Sequence, residues 1–217
     1  MVLHSLRARR EGPGDGSIHL APLFPLPNVF LFPGCVMPLH VFEPRYRQMV
    51  EDLLDGPGQL VMGTLAQAPD AQLSAPPPVR PIAGIGEICR HERLSDGRFL
   101  IWLFGLGRVR IREVPSDRLY RRVAIEPFLE IAPPKEREPD LRDRLRKAIL
   151  ARCDGSAQIP AEIPISCLAD LLLQRLGLSQ PDMEALFEEM DVETRAECGL
   201  ELHEKRASPP RNRKRKS

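Results

Sequence analysis

The residues with the right chemistry for catalysis are few and poorly spaced. His40 and Glu43, three apart, are the one candidate acid–base pair. They straddle a change from extended chain to helix, and there Glu43 is explained more simply by the helix dipole or by an ion pair with Arg45 or Arg47. A lysine that activates a serine must be buried to lose its proton near neutral pH. The five lysines are Lys135 in a proline-rich linker, Lys147 on a helix, and Lys205, Lys214 and Lys216 near the end of the chain. None is placed for that work. A phosphate-cradling loop ends in Gly-Lys-Ser/Thr, and no Gly-Lys dipeptide occurs. The five cysteines, Cys35, Cys89, Cys153, Cys167 and Cys198, include no pair at metal-ligand spacing, and the histidines supply none either. They read as reduced thiols of a cytoplasmic protein. No catalytic residue, metal ligand or cofactor is expected.

Positive charge offers binding rather than catalysis. Arg108, Arg110 and Arg112 alternate along one predicted strand, so one face of it is basic, with either a phosphate surface or a solvated outer face as the outcome. The aromatic interleaving of a stacking platform is missing. A formal net charge of +1 hides a tail, Arg211, Arg213, Lys214, Arg215 and Lys216, with no acid beside it. Such a tail suits RNA, a ribosome or an anionic membrane, or serves solubility alone.

The elements that must position these groups change character along the chain. Residues 18–131 read as a β domain. Pro25, Pro27, Pro33 and Pro38 forbid a helix in the apolar run that contains them, which must be a bent, extended path through a core. Pro44 then suits a first helical turn, with Tyr46, Met49, Val50, Leu53 and Leu54 on one face. Residues 66–81 form a Pro/Ala/Gln loop that should be exposed and mobile. Ser95, Asp96 and Gly97 mark a hairpin between 82–94 and 98–104, and the latter is apolar on both faces, as a central strand would be. Arg108–Val114 and Arg121–Glu130 are further strands. Residues 132–137 are a linker, after which the apolar period becomes helical through 138–204. Ile165–Leu176 ends at Gly177, Ser179 opens a helix with capping-box character, and Asp191 caps the last one. Residues 1–17 and 205–217 are expected to be a flexible lead-in and a disordered basic tail. No segment approaches a membrane span.

Two blocks carry a family resemblance. The first holds Pro25-Leu26, Pro33-Gly34, Pro38-Leu39, Phe42-Glu43 and Arg45-Tyr46. The second runs from Ile82 through Gly86, Glu87, Ile88, His91–Leu94 and Asp96–Arg98 to Gly105–Ile111. In this order the chain resembles the Lon protease N-terminal, substrate-binding domain over roughly residues 18–204. It departs at Ala83-Gly84, where the family usually has Gly-Thr. The resemblance implies an α+β fold, a PUA-like antiparallel β-barrel with an inserted helix, followed by a small helical bundle. It also implies a stand-alone form lacking the ATPase and peptidase domains. The expected function is non-catalytic recognition of unfolded or exposed polypeptide, as an adaptor in protein quality control, with a separate ATPase or protease as a partner. Candidate contacts are Phe30, Phe32, Phe42 and Tyr46, the 66–81 loop, and a groove between barrel and helices; core packing is the competing role for the aromatics. The alternative is an RNA- or ribosome-associated protein working through the arginine row and the tail.

Overall fold

The computed structural model describes residues 19–66, 76–153 and 158–207. The lead-in, most of the 66–81 loop and all five tail cations therefore lie outside the described residues.

Six strands make one mixed sheet: β1 (His19–Leu26), β2 (Val36–Val41), β3 (Gln59–Thr64), β4 (Ile82–Arg93), β5 (Phe99–Val114) and β6 (Arg121–Pro127). Helix α1 (Pro44–Leu54) is inserted between β2 and β3. Its Tyr46, Met49, Val50 and Leu53 are buried, the face predicted from their spacing. Glu43 sits at its N-cap without a side-chain cap and instead pairs with Arg45 at 2.7 Å.

The pairings form a closed circuit. β5 pairs with β4, β4 with β3, β3 with β1, β1 with β6, and β6 returns to the far half of β5. β2 lies outside this circuit, against the first half of β5. All pairings are antiparallel except β1 with β3, which is parallel. This corrects the fully antiparallel expectation. The connection from β1 to β3 carries β2 and α1, long enough for the crossover that parallel neighbours require.

β5 is a second correction. The sequence suggests two strands broken at Gly105–Gly107, yet one 16-residue strand runs through. Gly105 is no breaker here: a Cβ on it would overlap the Phe32 carbonyl, so glycine lets the preceding loop lie directly on the strand. That loop turns at Pro33-Gly34, with Gly34 at φ +76°. Gly105 exchanges backbone bonds with this turn, its carbonyl accepting from the Gly34 N–H and its own N–H donating to the Cys35 carbonyl. By alternation, Pro38 then directs its missing N–H to the free edge of β2, where no ladder bond is lost.

Four helices follow: α2 (Glu138–Leu150), α3 (Ile165–Arg175), α4 (Gln180–Phe187) and α5 (Val192–Ala207). The caps read from sequence are present. The Ser179 hydroxyl accepts from the Asp182 N–H and Asp191 Oδ1 accepts from the Thr194 N–H at 2.7 Å. Leu141, Leu145, Leu168, Leu172, Leu173 and Leu200 centre a helical core. The sheet has its own, around Leu31, Met49, Leu60, Phe99, Ile101 and Leu103. Phe32, Ile82, Phe128 and Phe187 fill the junction between the two.

Candidate functional site

Alternation along β5 builds the site. Phe99, Ile101 and Leu103 are buried in the sheet core, so Leu100, Trp102 and Phe104 turn to the opposite face; Leu106 follows at the register shift between Gly105 and Gly107, and all four are half-buried. The register sets Val36 beside Phe104, Pro38 beside Trp102 and His40 beside Leu100 on β2. On β4 it sets Arg90 beside Trp102, and the Arg90 guanidinium lies 4.5 Å from the indole centroid. Val36 keeps 52% of its surface exposed and Phe42, just past β2, keeps 59%. The outer face is thus apolar along β5 and at Val36 and Pro38 of β2, and is bordered on β4 by the exposed charged residues Glu87, Arg90 and Glu92, in register with Phe104, Trp102 and Leu100. "Apolar on both faces" correctly indicated a strand inside the sheet, but one of those faces is left open. Leu100, Trp102 and Phe104 went unnoticed as site candidates because the same pattern normally signals burial on both sides.

Further along β5 the helices cover this face incompletely. Between them lies an apolar pocket of about 290 Å³. Phe104, Leu106 and the Pro33–Cys35 turn form its sheet side; Ile163, Pro164, Cys167 and Leu171 form its helix side. A second, more open depression of about 500 Å³ holds Phe30, Phe32, Met37, Leu39 and Met183. Cys35 and Gln174 separate the two, the Cys35 Sγ lying 3.5 Å from Gln174 Oε1. This is the groove between sheet and helices expected from sequence.

The four candidate aromatics do not converge. Phe30 and Phe32 meet Phe187 at 5.3 and 5.1 Å between centroids, with Phe32 buried. Tyr46 is buried against Phe24, 4.3 Å away, and burial pushes its hydroxyl pKa up. Tyr46 is a core residue in this arrangement. Phe42 is exposed beside His40. His40 and Glu43 build no acid–base site, since Glu43 is held by Arg45.

The arginine row also divides. Arg110 and Arg112 are exposed, with Arg110 in register with Glu126. Arg108 shares their face, but that face is covered at its position. Its side chain is 1% exposed, donates to Asp170 at 2.7 Å and Glu130 at 3.0 Å, and lies 4.7 Å from the Phe187 ring centroid. Arg195 of α5, fully buried, joins Asp170 at 3.1 Å and also pairs with Glu130. Burial pushes the Asp170 carboxyl above the usual carboxylate range, while the guanidiniums of Arg108 and Arg195 pull against that shift. Arg108 is therefore corrected from a candidate phosphate contact to a buried link between sheet and helices. Among the described residues no group of three or more His, Cys, Asp or Glu is placed to hold a metal. No described helix is long and apolar enough to cross a membrane.

The model of the ATP-dependent protease La (LON) substrate-binding domain matches residues 21–205. The chain belongs to this family. It is 27% identical over 205 residues to the Lon protease of Cytophaga hutchinsonii, covering 85% of this chain and 24% of that protein. It is 26% identical over 178 residues to the Lon protease of Trichlorobacter lovleyi, covering 78% and 22%. Lon protease 2 of Sorangium cellulosum is 33% identical over 106 residues, 48% of this chain and 13% of that one. The chain thus spans less than a quarter of these proteases. Two solved structures share the fold: the N-terminal domain of Mycobacterium avium complex Lon protease (TM-score 0.63, 17% identity, 86% of this chain and 98% of that one) and a Lon N-terminal domain protein from Xanthomonas campestris (TM-score 0.61, 22% identity, 85% and 98%). The matched region is the substrate-binding part of the protease family and not its catalytic part.

Proposed function

We propose that this chain recognises polypeptide without chemically altering it, through the open face of β2 and β5, apolar along β5 and rimmed by charge on β4, and the junction pocket that continues it. The observation that carries the reading is the row Leu100, Trp102, Phe104 and Leu106, half-buried and ending in an apolar pocket, in a chain whose family is a substrate-binding domain. Uncovered apolar surface of this kind marks an interaction site. An extended segment can lay alternate side chains along such a face and anchor one in the pocket. Phe42 borders this surface, whereas Phe30 and Phe32 line the larger depression, which opens beside Met37 and Leu39 on the other face of β2. We read the closed circuit of strand pairings as a PUA-like barrel, residues 18–131 as its domain, 138–204 as the helical subdomain, and 132–137 as the linker. The role is that of a cytoplasmic adaptor in protein quality control that hands clients to a separate ATPase or protease.

Trp102 is the one tryptophan of the chain and reports on its own site. Titration with an unstructured casein should shift Trp102 emission to the blue and saturate. Leu106→Asp should weaken binding about tenfold or more, equivalent to about 1.4 kcal/mol, while Arg110→Glu leaves it unchanged. An unshifted emission, or equal affinity in Leu106→Asp, refutes the reading. The nucleic-acid alternative retains only Arg110, Arg112 and the tail, since Arg108 is internal.

A further inference from the structure

The junction pocket has two thiols in its wall, one on each side. Cys35 leaves the Pro33-Gly34 turn into β2, and Cys167 lies in the first turn of α3. Both are free and half-buried. The rest of the lining is Pro, Gly, Phe, Leu and Ile, which has no use for sulfur chemistry. We propose that Cys35 and Cys167 form a reversible disulfide that ties β2 to α3 across the pocket and closes it to a client. The bond rests on geometry alone; only its consequence for clients rests on the function proposed above.

Cys35 and Cys167 line opposite walls of one pocket, and the surroundings of each reach toward the other. Cys167 Sγ lies 4.0 Å from where a Cβ on Gly34, the neighbour of Cys35, would sit. Cys35 Sγ already touches α3, at Gln174, two turns along from Cys167. Rotation about its Cα–Cβ bond, between staggered rotamers, swings that sulfur away from Gln174 and along the helix toward Cys167. Disulfides form where Cα atoms are roughly 4.4–6.8 Å apart. The bond therefore requires the Pro33-Gly34 turn and the first turn of α3 to bring the two Cα atoms within that range, and this approach is the closure proposed. Closure moves the Cys35 sulfur off Gln174, so it also opens the partition to the larger depression.

The oxidant is a small-molecule disulfide such as oxidised glutathione. The Cys35 thiolate attacks one sulfur, expelling one glutathione thiolate and leaving a mixed disulfide. The Cys167 thiolate then attacks the Cys35 sulfur and expels the second glutathione. Two protein thiols lose two electrons and two protons, and one glutathione disulfide becomes two thiols. The order follows from placement: Cys35 reaches the pocket from the partly exposed Pro33-Gly34 turn, whereas burial pushes the Cys167 thiol pKa up and disfavours its first attack, so it attacks second, when the mixed disulfide is already held across the pocket.

The full chain carrying Cys153→Ser is the substrate for the test, because Cys153 and Cys167 otherwise share one tryptic peptide. After oxidised glutathione, non-reducing peptide mapping should find the Cys35 peptide joined to the Cys167 peptide. Dithiothreitol should release it, and either Cys35→Ser or Cys167→Ser should abolish it. Casein affinity read by Trp102 should fall about tenfold or more on oxidation and return on reduction. Glutathione adducts alone, or both peptides recovered singly from folded protein, overturn the proposal. A linked pair with unchanged casein affinity overturns the closure. If the reduced protein binds no casein, the polypeptide reading fails, while the peptide map still decides whether the disulfide forms.

Discussion

Asp170 is a buried carboxylate on which two elements besides its own converge. It is 1% exposed and is contacted by Arg108 from β5 and Arg195 from α5, so one side chain on α3 joins three elements. Its Oδ2 has no hydrogen-bond partner among the described residues. Removing one member of a buried ion cluster leaves the others charged and unpaired, at a cost of about 3–5 kcal/mol. Asp170→Ala is therefore expected to lower the unfolding free energy by that amount, read as a lower urea midpoint at constant m-value. Replacing Asp170 by Leu together with Arg108 by Met, groups of similar volume, should recover much of the loss. A single Asp170→Ala variant as stable as wild type would show that the cluster does not hold the helices to the sheet.

At the scale of elements, the helical unit is laced by ion pairs as well as by its leucine core. Arg144 of α2 donates two bonds of 2.7 Å to the Glu197 carboxylate of α5. The Arg144 hydrogen bond holds the Glu197 carboxyl below its usual range. A carboxylate whose folded pKa lies below its unfolded value contributes stability that is complete above the ordinary glutamate range and is lost as pH falls through the folded pKa. Glu197→Gln should thus cost up to about 1 kcal/mol at pH 7, a modest figure because the pair is partly solvated. The difference from wild type should shrink as pH falls below the ordinary glutamate range and vanish only below the lowered folded pKa of Glu197. Thermal melts at neutral and acid pH check this; a pH-independent difference would point to lost packing instead.

Most of these elements could be read locally. Proline and apolar spacing marked α1, Ser95–Gly97 marked the β4–β5 hairpin, and Ser179 and Asp191 marked two helix starts. What escaped depends on neighbours distant in sequence. The alternation of Arg108 with Val109 is correct, but only the arrival of Asp170, Phe187 and Arg195 turns its outer face into an interior. The parallel β1–β3 pairing and the continuity of β5 through Gly105 are likewise settled by contacts across the fold. The site divides in the same way. Phe30 and Phe32 at the junction were identifiable as apolar residues, whereas the openness of Leu100, Trp102 and Phe104 depends on the absence of a covering layer, which no local pattern records.

At the scale of the whole molecule, apolar and electrostatic binding are separable. The family match ends at residue 205, and the five tail cations follow it. Deleting residues 208–217 should leave casein affinity unchanged and remove most binding to single-stranded RNA. Each lost phosphate contact should reduce the salt slope by about 0.7. Full RNA affinity after truncation would shift attention to Arg110 and Arg112.

The central claim is that clients lie on the open face of β5. A photo-crosslinking amino acid at position 100, on that face, can be compared with one at Leu119, which is 67% exposed and apolar but lies in the β5–β6 connection. The account predicts efficient light-dependent crosslinking of casein from position 100, suppressed by Leu106→Asp, and little from position 119. Equal crosslinking from both positions, or crosslinking from 119 alone, would contradict it.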